Sequence, residues 1–178
     1  LEGVSVAIQG MGHVGYRLAK HLHEHGAKLY VADIYPEGVE KAVSELGATA
    51  VAPEEILSLD VDVLAPCALG AAINDQTLPL IKAKVIAGAA NNQLAREDMG
   101  ELLQQRGILY APDYVINAGG VIDIFHQRME TSSNEALRAH IEQIGDTLKE
   151  IYTRAEQEGA ATNRVANLIA EERFNLKG

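Results

Sequence analysis

The sequence predicts an α/β fold, a doubly wound, mostly parallel sheet that ends in an α-helical C-terminal tail, and three observations carry that prediction. Short apolar runs alternate with helical stripes through most of the chain. The first run (Val4, Val6, Ala7, Ile8) stops at Gly10, and Gly10, Gly12 and Gly15 follow in G-x-G-x-x-G register where strand gives way to helix. The last stretch abandons the alternation for one long apolar seam at helical spacing. The expected organisation is a Rossmann-type dinucleotide-binding unit over 1–132 and a helical extension over 133–178 packed on it.

Taken in order, the first helix carries Val14, Leu18, Ala19 and Leu22 and ends at Gly26, a suitable residue for a helix stop. A second strand, Lys28 to Asp33, leads into Pro36, which suits a first helical turn. Val39, Ala42, Val43 and Leu46 form the stripe of the next helix, closed by Gly47. A short strand over Thr49 to Ala52, a helical turn from Pro53 through Leu57 and a fourth strand over Asp62 to Ala65 complete a β-α-β-α-β-(α)-β pattern. A helix is then expected over Asn74 to Ile81, a strand over Val85 to Gly88 and a helix over Arg96 to Gln105. The last strand is Ile108 to Ala111, stopped by Pro112, and a helix with Val121, Ile122 and Phe125 begins near Ala118. From Asn134 to Glu158 the seam is Leu137, Ile141, Ile144, Leu148, Ile151 and Ala155, and a shorter helix with Val165, Leu168 and Ile169 follows Gly159.

Bulk properties narrow the function. A chain of 178 residues, 47% hydrophobic, can bury a good core. Its net charge of −10 argues against a nucleic-acid or anionic-membrane surface, because phosphate affinity comes from clustered Lys and Arg. The single Cys67 cannot form an internal disulfide, which fits a cytoplasmic protein. No apolar stretch approaches the roughly 20 residues that span a bilayer. Leu1 runs almost directly into the first strand, so the chain is expected to be a piece of something longer.

The glycines have separate physical tasks: Gly10 makes the tight turn, Gly12 lets backbone approach a pyrophosphate, and Gly15 allows close helix–strand packing. The backbone N–H groups of Met11 to Val14 would face the phosphates with the helix dipole behind them. Asp33 stands about 20 residues further on, where a ribose hydroxyl partner belongs. A carboxylate there repels a 2′-phosphate, and Ile34 and Tyr35 bring no compensating cation, so NAD is expected over NADP. Three further segments end successive strands: PCALGAAIND (Pro66 to Asp75), GAANNQL (Gly88 to Leu94) and PDYVINAGGV (Pro112 to Val121). Ligands of open α/β sheets bind outside those strand ends, and Asn91, Asn92 and Asn117 supply amides there. Asn92, just ahead of a helix, fits an N-cap as well as a ligand contact.

Together, GMGHVG, Asp33, PCALGAAIND, GAANNQL and PDYVINAGGVI closely resemble the amino acid dehydrogenases of the glutamate/leucine/phenylalanine/valine family, nearest to the leucine, valine and phenylalanine branch. The resemblance covers essentially the whole chain, including the tail ending in AEERF. It implies an NAD-binding domain whose partner, an N-terminal substrate domain bearing the catalytic Lys and Asp, is absent from this chain. No catalytic residue is therefore expected here, and the chain alone is expected to be inactive. The resemblance implies that Gly10, Gly12, His13, Val14 and Gly15 hold the pyrophosphate, and that Asp33 and Ile34 meet the adenosine ribose. Cys67, Ala68 and Leu69 would line the adenosine side. Asn91 would meet the nicotinamide ribose or carboxamide, and Asn117 would face the nicotinamide and the substrate. Val165, in the tail, would help complete the substrate side-chain pocket.

The implied activity is oxidative deamination of an apolar L-amino acid such as leucine, valine or phenylalanine to its 2-oxo acid and ammonium, in a homo-oligomer with no nucleic-acid or membrane partner. A glutamate-type dehydrogenase and a non-catalytic NAD-sensing module are the alternatives. No metal is expected: His21, His23 and His25 are read as imidazoles complementing a helix C-terminus. Cys67 is read as a small residue beside the cofactor, since no activating base accompanies it. Lys20, Lys28, Lys41, Lys82, Lys84, Lys149 and Lys177 are read as solvated.

Overall fold

A computed structural model describes residues 1–129 and 133–175; the expected boundary at 132 and Lys177 lie outside them. Six strands form one sheet in the order β3-β2-β1-β4-β5-β6. They are β1 (Ser5–Gln9), β2 (Lys28–Ala32), β3 (Thr49–Ala50), β4 (Val63–Pro66), β5 (Val85–Ile86) and β6 (Leu109–Tyr110). Every pairing is parallel. The order reverses between β1 and β4, so the crevice of this Rossmann-like sheet opens beside the glycine turn that follows β1.

Side chains of β1 alternate between two cores. Ala7 joins Leu64, Ile73, Ile86, Met99 and Leu103 on one face, whereas Val6 and Ile8 join Ala19, Val31, Ala42 and Leu46 on the other. Helices α1 (His13–Glu24) and α2 (Pro36–Leu46) cover the second face. On the first face lie α3 (Met99–Gln105) and single 3₁₀ turns at Ile56–Ser58 and Leu78–Leu80. At the N-terminal ends of the strands, Asp62 ties three of them together. Its Oδ2 accepts the Ser5 amide (3.0 Å) and hydroxyl (2.8 Å), and its Oδ1 meets Lys84 Nζ at 2.9 Å.

Those partners, the Ser5 N–H first and Lys84 next, hold the Asp62 carboxyl well below the usual carboxylate range. A depressed folded-state pKa contributes stability that is complete above the ordinary value of about 3.9 and is lost as pH falls through the folded value. Denaturant midpoints of the wild type and Asp62→Asn are therefore expected to differ most near neutral pH and to converge in strong acid. A gap independent of pH would contradict the ionic role.

After β6 the chain forms α4 (Asp113–Ile116), α5 (Gly119–Gln127), α6 (Asn134–Glu158) and α7 (Thr162–Asn175). Ser133 caps α6 by accepting the Ala136 amide, and Gly159 ends it in the left-handed region at φ 60°. The expected seam is buried only at its C-terminal end. Ile151 and Ala155 close a small core with Val165, Ala166 and Ile169, while Ile141 remains exposed. The tail is fastened to the sheet by Thr162 Oγ1, which donates to the Tyr110 carbonyl (2.7 Å), and by Asn163 Nδ2, which donates to the Glu97 carbonyl (2.9 Å). Among the described residues no helix is long and apolar enough to cross a membrane.

The helix expected over Asn74 to Ile81 is instead a loop closing on one 3₁₀ turn. Asn74 Oδ1 takes the amides of Gln76 and Thr77, and Thr77 Oγ1 donates to the Ala72 carbonyl, so side chains occupy the groups a helix would pair. Similarly, α3 begins at Met99 rather than Arg96, whose guanidinium bridges Asp75 and Asp98.

Candidate functional site

Burial of the glycine turn is divided. Gly10 and Gly15 are buried, whereas Gly12, His13 and Val14 are exposed. Gly10 sits at φ +97°, and a Cβ there would lie 2.7 Å from the Ala68 amide nitrogen. A Cβ on Gly15 would overlap the Gly10 carbonyl oxygen and touch Cys67 Cβ at 3.4 Å. Those two positions thus press the turn onto the end of β4, bringing Cys67 and Ala68 against it. Gly12 differs: a Cβ would meet nothing within 4 Å, although its backbone (φ −68°, ψ −165°) accepts any residue. Gly12 is also the N-cap of α1, with no side chain capping it and no acidic residue in the first turn. Open space, exposed first-turn N–H groups and the positive helix end suit a pyrophosphate. A cleft of about 520 Å³ flanks the turn and gathers His13, Arg17, Lys20 and Lys41, cations suited to an anionic ligand.

Asp33, just past β2, braces this turn. Its Oδ2 accepts the Met11 amide (2.5 Å) and its Oδ1 accepts the Tyr35 amide (3.0 Å). Each carboxylate oxygen has a second lone pair, so the same group can take a ribose hydroxyl. Beside it, Ile34 is 77% exposed, and across the turn Leu69 is 98% exposed, two apolar side chains with no protein partner to bury them. Cys67 is mostly enclosed, and burial pushes its thiol above the ordinary value, the opposite of what an attacking thiolate needs.

A second group gathers around the loop after β5. Asn117 Nδ2 donates to Asn91 Oδ1 and, at 3.5 Å, to the Ala89 carbonyl. The Ala90 amide donates to the Pro66 carbonyl (2.9 Å), fixing this loop to the end of β4 next to the glycine turn. Asn92 adopts φ 55°, so it makes the left-handed turn of the loop rather than capping a helix. Sequence reasoning did not single out Gln93 or Asp113, the two buried polar residues of this region. Gln93 Nε2 closes on the carbonyls of Gly88 (2.8 Å) and Ala90 (3.0 Å), and its amide donates to Asp113 Oδ2 (2.8 Å). A charged residue directly after the strand-ending Pro112 was the available signal.

The expectation for Val165 changes. Val165 is fully buried against Ile151, Ala155 and Ile169, so its side chain builds the tail core and has no surface left to line a substrate pocket. The ring of His25 engages the His21 carbonyl through Nδ1 (2.7 Å) at the end of α1, and His21 lies 3.6 Å from Glu24.

The sequence profile of the Glutamate/Leucine/Phenylalanine/Valine dehydrogenase family matches residues 31–174. Leucine dehydrogenase of Bacillus cereus is 50% identical over 174 residues, covering 98% of this chain and 47% of that protein. L-tryptophan dehydrogenase of Nostoc punctiforme is 47% identical, and its crystal structure superposes with a TM-score of 0.95 over 98% of this chain and 53% of its own. The hetero-hexameric glutamate dehydrogenase of Thermus thermophilus (Leu bound form) gives a TM-score of 0.74 at 25% identity, over 99% of this chain and 48% of its own. The chain spans about half the length of the curated relatives it matches.

Proposed function

The chain belongs to the glutamate/leucine/phenylalanine/valine dehydrogenase family, and from that premise we propose that it is the NAD-binding unit of an NAD-dependent L-amino acid dehydrogenase acting on an apolar substrate. The observation that carries the reading is the open, uncapped turn at Gly12 joined, through the Ala90–Pro66 bond, to the paired amides of Asn91 and Asn117. One end suits a pyrophosphate and the other a carboxamide, as a dinucleotide requires. The apolar substrate class is supported by relatives at 47–50% identity named for leucine and tryptophan, whereas the glutamate enzyme stands at 25%.

NAD, when bound, supplies the hydride acceptor for conversion of the amino acid and water to a 2-oxo acid and ammonium. The residues of this chain hold and orient. First-turn N–H groups of Gly12, His13 and Val14, with Gly10 and Gly15 shaping the turn, bind the pyrophosphate. Asp33 and Ile34 receive the adenosine ribose, and Cys67, Ala68 and Leu69 form the adenosine wall. Asn91 and Asn117 would hold the carboxamide and so orient the nicotinamide. The Lys and Asp that move protons would come from a substrate domain outside this chain.

The test compares this chain with a polypeptide extended upstream to the length of its relatives, following NAD reduction with L-leucine, L-valine, L-phenylalanine and L-glutamate. Turnover by the longer protein alone, on an apolar substrate, is the expected result. Preference for glutamate would overturn the substrate class. Silence across the panel, with NADH still bound, would leave a cofactor-sensing unit.

A further inference from the structure

We propose that Asp113 is the positioning residue of the nicotinamide-side amides, setting where Asn91 and Asn117 present their side chains; the inference rests on the dinucleotide reading above. Asp113 is the one buried carboxylate among the described residues, only 7% exposed. Both of its oxygens are engaged: Oδ2 accepts the Gln93 amide of the loop after β5 (2.8 Å), and Oδ1 accepts the amide of Tyr114, its neighbour in α4 (2.7 Å). Its own carbonyl accepts the Asn117 amide (3.0 Å). Gln93 lies two residues beyond Asn91, across the left-handed Asn92. The Asn117–Asn91 side-chain bond closes the ring. The carboxylate therefore ties the loop that carries Asn91 to the start of α4, whose backbone carries Asn117, and so sets one amide relative to the other.

Stability alone does not account for this choice of residue. Burying a carboxylate carries a desolvation cost that an apolar side chain avoids, and an apolar replacement is often neutral or better for stability. What a hydrophobe cannot supply is a charge-assisted bond to the Gln93 amide from a carboxylate that the Tyr114 amide holds in place. That geometry fixes the loop against α4 and with it the spacing between the amides. Asp113 acts through the backbone, and the ligand meets only the asparagines.

The experiment uses titration calorimetry on this chain with two ligands, NADH and ADP-ribose, which lacks the nicotinamide. Wild type is expected to bind NADH more tightly. In Asp113→Asn one of the two amides faces a donor, and NADH affinity is expected to fall about tenfold, while ADP-ribose affinity stays within about twofold. In an Asn117→Ala background the same substitution should add less than about twofold. If Asp113→Asn does not fold at the working temperature, Asp113→Ser, which keeps one acceptor, is read by the same ratio. Equal losses for both ligands would show a merely structural role, and no loss for either, or full additivity with Asn117→Ala, would equally overturn the proposal. Wild type binding the two ligands equally would overturn it while leaving the cofactor reading intact. Wild type binding neither would remove the cofactor reading itself.

Discussion

Gly12→Asp is expected to abolish dinucleotide binding while leaving the fold as stable as before or slightly more so. The position is open, with nothing within 4 Å of a Cβ, and its φ of −68° suits any residue. Aspartate is a better N-cap than glycine by roughly a few tenths of a kcal/mol, and its charge complements the helix N-terminus by about 0.3–1 kcal/mol. The same carboxylate would accept the first-turn N–H groups and repel the pyrophosphate. Losing two charge-assisted bonds, at about 1.5–3 kcal/mol each, predicts an affinity loss of roughly 100-fold or more. Gly15→Ala is the contrasting change. Its Cβ overlaps the Gly10 carbonyl, backbone that cannot swing aside, so overpacking should lower stability by about 1–3 kcal/mol or more and disturb the turn as well. Thermal melts and NADH titrations of the two variants separate the roles. A Gly12→Asp protein that binds NADH normally would place the phosphate elsewhere.

Asp33→Ala is expected to cost both stability and affinity, because one carboxylate braces the turn and, in the proposed function, also receives the ribose. Without it the amide of buried Met11 loses its acceptor, a loss of about 1–3 kcal/mol. Removal of the ribose contact should weaken NADH by a further 10-fold or so, on the order of one charged hydrogen bond. Pairing Asp33→Ser with Ile34→Arg tests the cofactor choice more sharply. Ile34 is 77% exposed, so an arginine fits without repacking, and its guanidinium can engage a 2′-phosphate bidentately. NADPH should then overtake NADH. An unchanged preference for NADH would show that Asp33 braces the turn and does not read the ribose.

Local chemistry made much of this legible. The glycine register and Asp33 could be located because a tight turn, a close helix packing and a carboxylate at a strand end each demand particular residues in a short span. The sheet was readable because buried parallel strands are short apolar runs between helices. Other segments were harder. The stretch after Asn74 has helical composition, yet Asn74 and Thr77 satisfy its backbone by themselves. Helix α4, four residues long, has too few positions for a periodicity. Val165, expected at the substrate side-chain pocket, is enclosed in the tail core once Ile151 and Ala155 of α6 pack on it. Gln93 and Asp113, 20 residues apart, meet only once β5 and β6 lie side by side, so their bond leaves no local trace.

The central claim is that the crevice at the β1/β4 switch holds NAD. Its most direct measurement is titration of this chain with NADH and NADPH, followed by the fluorescence of the reduced nicotinamide. The account predicts saturable NADH binding at one site, at least about tenfold tighter than NADPH, the difference a repelled 2′-phosphate implies. Absence of saturable NADH binding, or NADPH binding as tightly as NADH, would contradict it.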